Sequence, residues 1–284
     1  MKSEEWDLVI EPKTRAGSLR LNELFRYRDL ISLFVKRDFI ALYKQTILGP
    51  IWIVLQPILT TITFTIVFGN IARIETGAPA ILFYMVGVTA WTYFSDCVTK
   101  TSETFISNQN LFGKVYFPRL VVPISIVITN LIKFGFQFGI FLAIYFYYLI
   151  FVPFSPVEAS WQIFLLPFAV LNMAIFGMGI GLVISALTTK YRDLRFLIQF
   201  GIQLAMFATP IVYPLSVVPQ KYIWIFQLNP MTPIIETLKV GFFGESFGVF
   251  SWFYLSLSFG ISLLTLFLGM SLFKRVERSF MDTI

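Results

Sequence analysis

Histidine is missing altogether, and cysteine occurs once, as Cys97. Without His the commonest general base and metal ligand is gone, so Ser–His hydrolysis and the usual zinc sites have no candidates. A single Cys excludes an internal disulfide and says nothing about compartment. Charge is scarce as well: Asp, Glu, Lys and Arg make up 13% of the 284 residues, against roughly a quarter in an ordinary soluble domain. No GxxxxGK[ST] loop occurs, which removes ATP binding by a P-loop. The membrane-depth carboxylates of a proton or sodium relay are nearly absent too. Asp96 comes closest, at the end of an apolar run, so an ion-coupled carrier lacks its usual parts. The first forty residues are charged and hold no short apolar stretch before a small-residue site, so no signal peptide is expected.

What the chain has is apolar surface. Hydrophobic residues reach 57% and mean hydropathy is +0.76, which identifies an all-α integral membrane protein. Six runs are each long enough for a ~30 Å hydrocarbon core, near 48–71, 79–99, 120–149, 161–187, 194–213 and 249–273. The basic residues set the topology. With both termini inside, 18 Lys and Arg lie on the inner side, against Arg73, Lys221 and Lys239 outside and Lys133 within a span. That asymmetry predicts cytoplasmic termini in a multi-pass plasma-membrane protein, and it explains the net charge of +6 without nucleic acid. Residues 1–47 read as an N-terminal cytoplasmic segment and 48–284 as one transmembrane domain.

Within the N-terminal segment, Leu24, Tyr27, Ile31, Phe34, Val35, Phe39 and Leu42 fall on one helical arc. Arg26, Asp29, Lys36, Arg37 and Lys44 fall on the other, with Leu33, Arg28 and Asp38 out of place. This pattern predicts a helix lying in the membrane interface; docking on its own bundle is the alternative. The loop at 100–119 reads as a short helix, a turn at Phe117-Pro118, then span three. Residues 214–248 are too oily for a free aqueous loop and too broken by proline to cross. They read as a partly re-entrant segment packed in protein or lining a wet cavity.

Several constellations carry two readings. Asn130, Lys133, Gln137 and Tyr148 share a face of span three. They would line a conduit for an anionic or hydroxyl-rich substrate, or hold helices together with Lys133 on an unseen carboxylate or carbonyl. Gly177 and Gly181 offer a small-xxx-small face for close helix packing or for a dimer contact. Asp193 is placed to cap the fifth span, with Arg192 and Arg195 at headgroup level. Aromatics make up 18% of the chain; most read as interface belts, while a minority, with Tyr84, Trp91, Tyr93 and Tyr148 as candidates, could stack on sugar rings.

Four blocks in register resemble the polysaccharide-exporting ABC-2 permeases, which move O-antigen, capsule or teichoic acid. They are Glu23–Leu30 with Tyr43–Trp52 and Gln56-Pro57; Asn110–Arg119 with Pro123; Tyr191-Arg192-Asp193, Thr209–Pro214, Pro219 and Asn229-Pro230; and Phe273–Asp282. The resemblance implies a homodimer of six-span subunits with a conduit between them, powered by two copies of a nucleotide-binding ATPase subunit. ATP and Mg would sit on that partner, leaving this chain without cofactor, metal or catalytic residue. It implies ATPase-coupling roles for Asn110, Lys114, Phe117, Pro118, Arg119, Tyr191, Arg192 and Asp193. An outer gate would include Pro214, Asn229, Pro230, Glu236 and Lys239, although the family tends to carry Arg where Lys239 stands. The expected cargo is an undecaprenyl-type lipid-pyrophosphate-linked polysaccharide, foremost O-antigen. Its headgroup would approach Arg28, Lys36, Arg37 and Lys44, whose charges suit pyrophosphate. Any domain that recognises the polymer end would belong to the partner.

Overall fold

The computed structural model describes residues 21–44, 49–115, 117–152, 157–189, 191 and 193–280. Among them there is no strand. After one turn at Leu21–Arg26 come α1 (Arg28–Tyr43), α2 (Ile51–Ile71) and α3 (Ala80–Ser102). Two single turns, Thr104–Ser107 and Gln109–Phe112, lead to α4 (Val121–Phe151) and α5 (Trp161–Thr188). Then follow α6 (Leu194–Phe207), α7 (Gln220–Leu228), α8 (Met231–Phe243) and α9 (Trp252–Phe280).

Five of these helices, α2, α3, α4, α5 and α9, are long and apolar enough to cross a bilayer. The sixth expected crossing is cut short. α6 has 14 residues, about 21 Å at 1.5 Å per residue, where the hydrocarbon core needs ~30 Å. Pro210 ends it: proline has no N–H to continue the helix, and it disfavours helical backbone at Thr209. The chain goes on as a buried irregular strap, Thr209–Val212.

α3 is the centre of the bundle. Of its most apolar window 78% is buried, and it touches α2, α4, α5, α6 and α8. Glycines set how closely its neighbours approach. A Cβ added at Gly177 would lie 2.8 Å from the Cβ of Cys97, and one at Gly181 would lie 2.5 Å from that of Thr101. Gly177 and Gly181 therefore pack α5 against α3. Gly179, on the opposite side, receives α9: its added Cβ would sit 2.6 Å from the Leu266 nitrogen, and Gly269 returns the contact.

α1 is docked on protein. Phe34 is buried against Phe117, with ring centroids 5.6 Å apart, and Phe39 stacks on Phe136 of α4 at 6.2 Å. The arc expected to face lipid at the interface thus packs on the helix's own bundle, because Phe117 and α4 offer it an apolar seat. Leu33 and Phe25 are left exposed.

α7 and α8 form the re-entrant hairpin, which turns at Asn229-Pro230. Ser258 of α9 donates its hydroxyl to the Pro230 carbonyl at 2.7 Å. Ser258 is the seventh residue of α9, so the tip lies about 9 Å along that helix from its start. Every residue of α8 is buried. α7 by contrast buries only Gln227, and the turn at Asn229-Pro230 is half-buried.

Candidate functional site

Chemistry concentrates in three places: the basic end of the bundle, a charged knot between α3 and α4, and the hairpin at the opposite end.

At the basic end, Asn110, Lys114, Tyr191 and Asp193 are exposed, while Phe117 and Arg119 are buried and Pro118 is half-buried. Arg192 lies outside the described residues. Asp193 occupies the N-cap position of α6 but has helical backbone angles and makes no side-chain capping bond. Arg195 lies 3.8 Å from Glu103 and over the Phe196 ring. Burial pulls the Arg119 guanidinium below its ordinary value, and nearby Glu277 works against that shift. Arg28, Lys36 and Arg37 of α1, and Lys44 just after it, are all exposed. Arg37 donates to its neighbour Asp38 at 2.8 Å and covers the Phe34 ring. Beside it a cleft of about 360 Å³ opens between α1, α3 and α4, lined by Arg37, Asp38, Lys100 and Glu103 among others.

In the knot, Lys133 finds the carboxylate that was unseen in the sequence: its Nζ lies 3.3 Å from Asp96 Oδ2. Lys100 reaches the same oxygen at 3.6 Å and donates to Asn130 Oδ1 at 3.2 Å. Gln137 donates to the Ile53 carbonyl at 2.8 Å, tying α4 to α2. Asn130, Lys133 and Gln137 thus serve as ties between helices within one chain. Tyr84, Trp91 and Tyr93, expected along a path, are 0%, 5% and 2% exposed. They sit in a closed interior because α3, which carries them, is contacted on every side. Tyr84 packs edge-on to Phe64 and Phe83, Trp91 on Phe94 and Tyr93 on Phe134. Tyr148 is half-buried.

At the hairpin, Glu236 and Lys239 form an ion pair of 3.2 Å with Lys239 fully buried. Lys239 also donates to the Pro210 carbonyl and stands 4.0 Å over the Phe83 ring. Glu236 accepts the Val249 N–H at 3.0 Å. Asn229 donates to Thr209 at 2.9 Å and accepts the Met231 N–H at 3.1 Å. The expected gate residues Asn229, Glu236 and Lys239 therefore stitch α8 to the strap, to α3 and to the approach of α9. Pro214 and Pro230 mark the ends of its irregular pieces. Residue reasoning passed over Glu277, Glu103 and Thr209 as partners. Each lies on a different element from the group it serves, and no spacing rule links them.

A multi-pass helical bundle closed at one end by a helical hairpin, with polar groups tying helix to helix, defines a helical integral membrane protein. The chain belongs to the ABC-2 type transporter family, whose model matches residues 29–243. It is 26% identical over 256 residues to the O-antigen export system permease protein RfbA of Klebsiella pneumoniae, covering 90% of this chain and 95% of that one. It is 29% identical to the RfbA permease of Myxococcus xanthus, covering 78% and 84% of the two chains. To the polysialic acid transport protein KpsM of Escherichia coli it is 25% identical, with 83% and 89% covered.

Proposed function

We propose that this chain is the membrane-spanning subunit of an ATP-driven exporter of lipid-pyrophosphate-linked polysaccharide, foremost O-antigen, in the plasma (inner) membrane. The observation that carries the reading is similarity over most of the chain to two O-antigen export system permease proteins. The chain works as a homodimer with two copies of a separate ATPase subunit. That partner binds ATP and Mg and docks on the exposed Asn110, Lys114, Tyr191 and Asp193 at the cytoplasmic, basic end.

The headgroup of an undecaprenyl-type carrier approaches Arg28, Lys36, Arg37 and Lys44, whose cations match its pyrophosphate. The polymer then passes between two copies, along faces that one chain leaves open. α6 contributes no buried residue among those described, and the most apolar window of α2 is only 11% buried. The hairpin closes the outer end. Polymer stacking belongs to the aromatics on these open faces and to Tyr148, since Tyr84, Trp91 and Tyr93 are sealed inside. Capsular polysaccharide is the second reading, favoured by the similarity to KpsM.

Deleting the gene tests this. Surface polysaccharide should disappear while its lipid-linked form accumulates inside, and the chain supplied in trans should restore export. Normal surface polymer in the deletion strain would refute the reading.

A further inference from the structure

Among the described residues of 104–119 there are two single helical turns, broken at Asn108 and ended at Gly113. Such a segment, left to itself, yields under load. What stiffens it is a second apolar cluster at the basic end, separate from the main core, that draws on α1, this loop, α5 and α9. Its rings touch in series. Phe34 of α1 meets Phe117 at 5.6 Å, Phe117 meets Phe112 at 5.7 Å, Phe112 meets Phe105 at 6.0 Å, and Phe105 stacks on Phe273 of α9 at 4.5 Å.

Arg119 closes the polar edge of this cluster. Its Nη1 donates to the Glu277 backbone carbonyl at 2.9 Å. Its own backbone N–H lies 3.4 Å from Glu277 Oε1, its Nε lies 4.0 Å from the same oxygen, and its guanidinium covers the Phe112 ring at 5.3 Å. Glu277 stands in the last turn of α9, where carbonyls lack partners inside the helix and the helix dipole favours a cation. Arg119 thus caps α9 from 158 positions away. A planar guanidinium offers a rigid fork of N–H donors to the carbonyl and the carboxylate while its flat face covers the ring; an ammonium is a point charge without that fork.

Beyond α9 the helices cross closely. α9 meets α5 backbone to backbone at Gly179 and Gly269, and at Gly177 and Gly181 α5 lies against the Cβ atoms of Cys97 and Thr101 and the Phe94 and Val98 carbonyls of α3. Such close crossings leave little slack to absorb a displacement.

We infer that Arg119 is a positioning residue that clamps the 104–119 loop to the end of α9, so that a push on the loop moves α1, α9 and α5 as one body. The inference rests on the reading of this loop as the surface an ATPase subunit drives.

The test uses the permease co-expressed with its ATPase, purified and reconstituted in vesicles with lipid-linked polysaccharide extracted from the source cells. ATPase retention, ATP hydrolysis and polymer exported per ATP are compared for wild type, Arg119→Ala, Arg119→Lys and Glu277→Ala. Arg119→Ala should keep its ATPase and hydrolyse ATP within about twofold of wild type, while export per ATP falls about tenfold or more, a coupling loss of ordinary allosteric size. Arg119→Lys should recover part of the ratio, and Glu277→Ala should lower it by a smaller factor. Wild-type export per ATP in Arg119→Ala overturns the clamp. Loss of the ATPase from that variant overturns it as well, by making Arg119 a docking residue. Should Arg119→Ala fail to insert, Glu277→Ala decides alone, and an unchanged ratio refutes the inference. A wild-type chain that retains no ATPase strikes the exporter reading itself, and shows before any variant is compared.

Discussion

Buried charge governs this molecule at the scale of single residues. Lys239 has no exposure, and it is tolerable only because Glu236, the Pro210 carbonyl and the Phe83 ring surround it. Removing one partner strands the other, which typically costs about 3–5 kcal/mol, whereas replacing both by apolar groups of similar size is often neutral. Glu236→Ala should therefore lower the unfolding temperature in detergent sharply, and the double change Glu236→Met with Lys239→Met should recover most of it. Equal losses in the two variants would show that the pair does not hold the hairpin. The knot around Asp96 obeys the same logic, and it also marks the limit of legibility. Lys133 announced itself in the sequence as a costly mid-membrane charge, and Asp96 was visible at a span end. Their pairing was not, because the register between α3 and α4 is fixed by packing that no spacing rule encodes.

Helices are held apart or together by what stands where they cross. Gly181 leaves no room for a side chain against Thr101, while Gly201 in α6 has open space around it. Gly181→Val should destabilise the fold by about 1–3 kcal/mol or more through overpacking. Gly201→Ala should be neutral, or stabilise by up to ~1 kcal/mol through helix propensity. Thermal unfolding of the two variants checks this, and similar losses at both sites would contradict the packing. The hairpin makes a further prediction. Asn229→Ala loses its bonds to Thr209 and to the Met231 N–H, so it should cost about 1–3 kcal/mol by leaving buried groups unpaired; a neutral effect on unfolding would remove Asn229 from the stitching.

The spans were legible because twenty or so apolar residues in a row have few other uses. The end of α6 was not: apolar residues continue past Pro210 to Tyr213, so hydropathy overran a break that the backbone obeys. Which faces turn inward was hidden as well, since lipid and protein core both select apolar side chains. That is why Tyr84, Trp91 and Tyr93 read as interface belt or conduit lining, while the structure places them in the core. It is also why the arc of α1 suited lipid as well as the Phe117 seat it occupies.

For the whole molecule, the gathering of Lys and Arg at one end predicts an orientation that can be tested. Lys114→Cys and Arg275→Cys should react with a membrane-impermeant maleimide only from the cytoplasmic side, and Lys221→Cys only from outside. Native Cys97 is buried and should stay silent. Reaction of Lys114→Cys from outside would reverse the topology. The central claim is that this chain moves polymer with energy supplied by another subunit. Affinity purification of the tagged chain in mild detergent, followed by identification of what accompanies it, tests that most directly. The account predicts a P-loop ATPase in one-to-one ratio, two of each in the assembled complex. A chain that purifies alone and still transports in liposomes without ATP would contradict it.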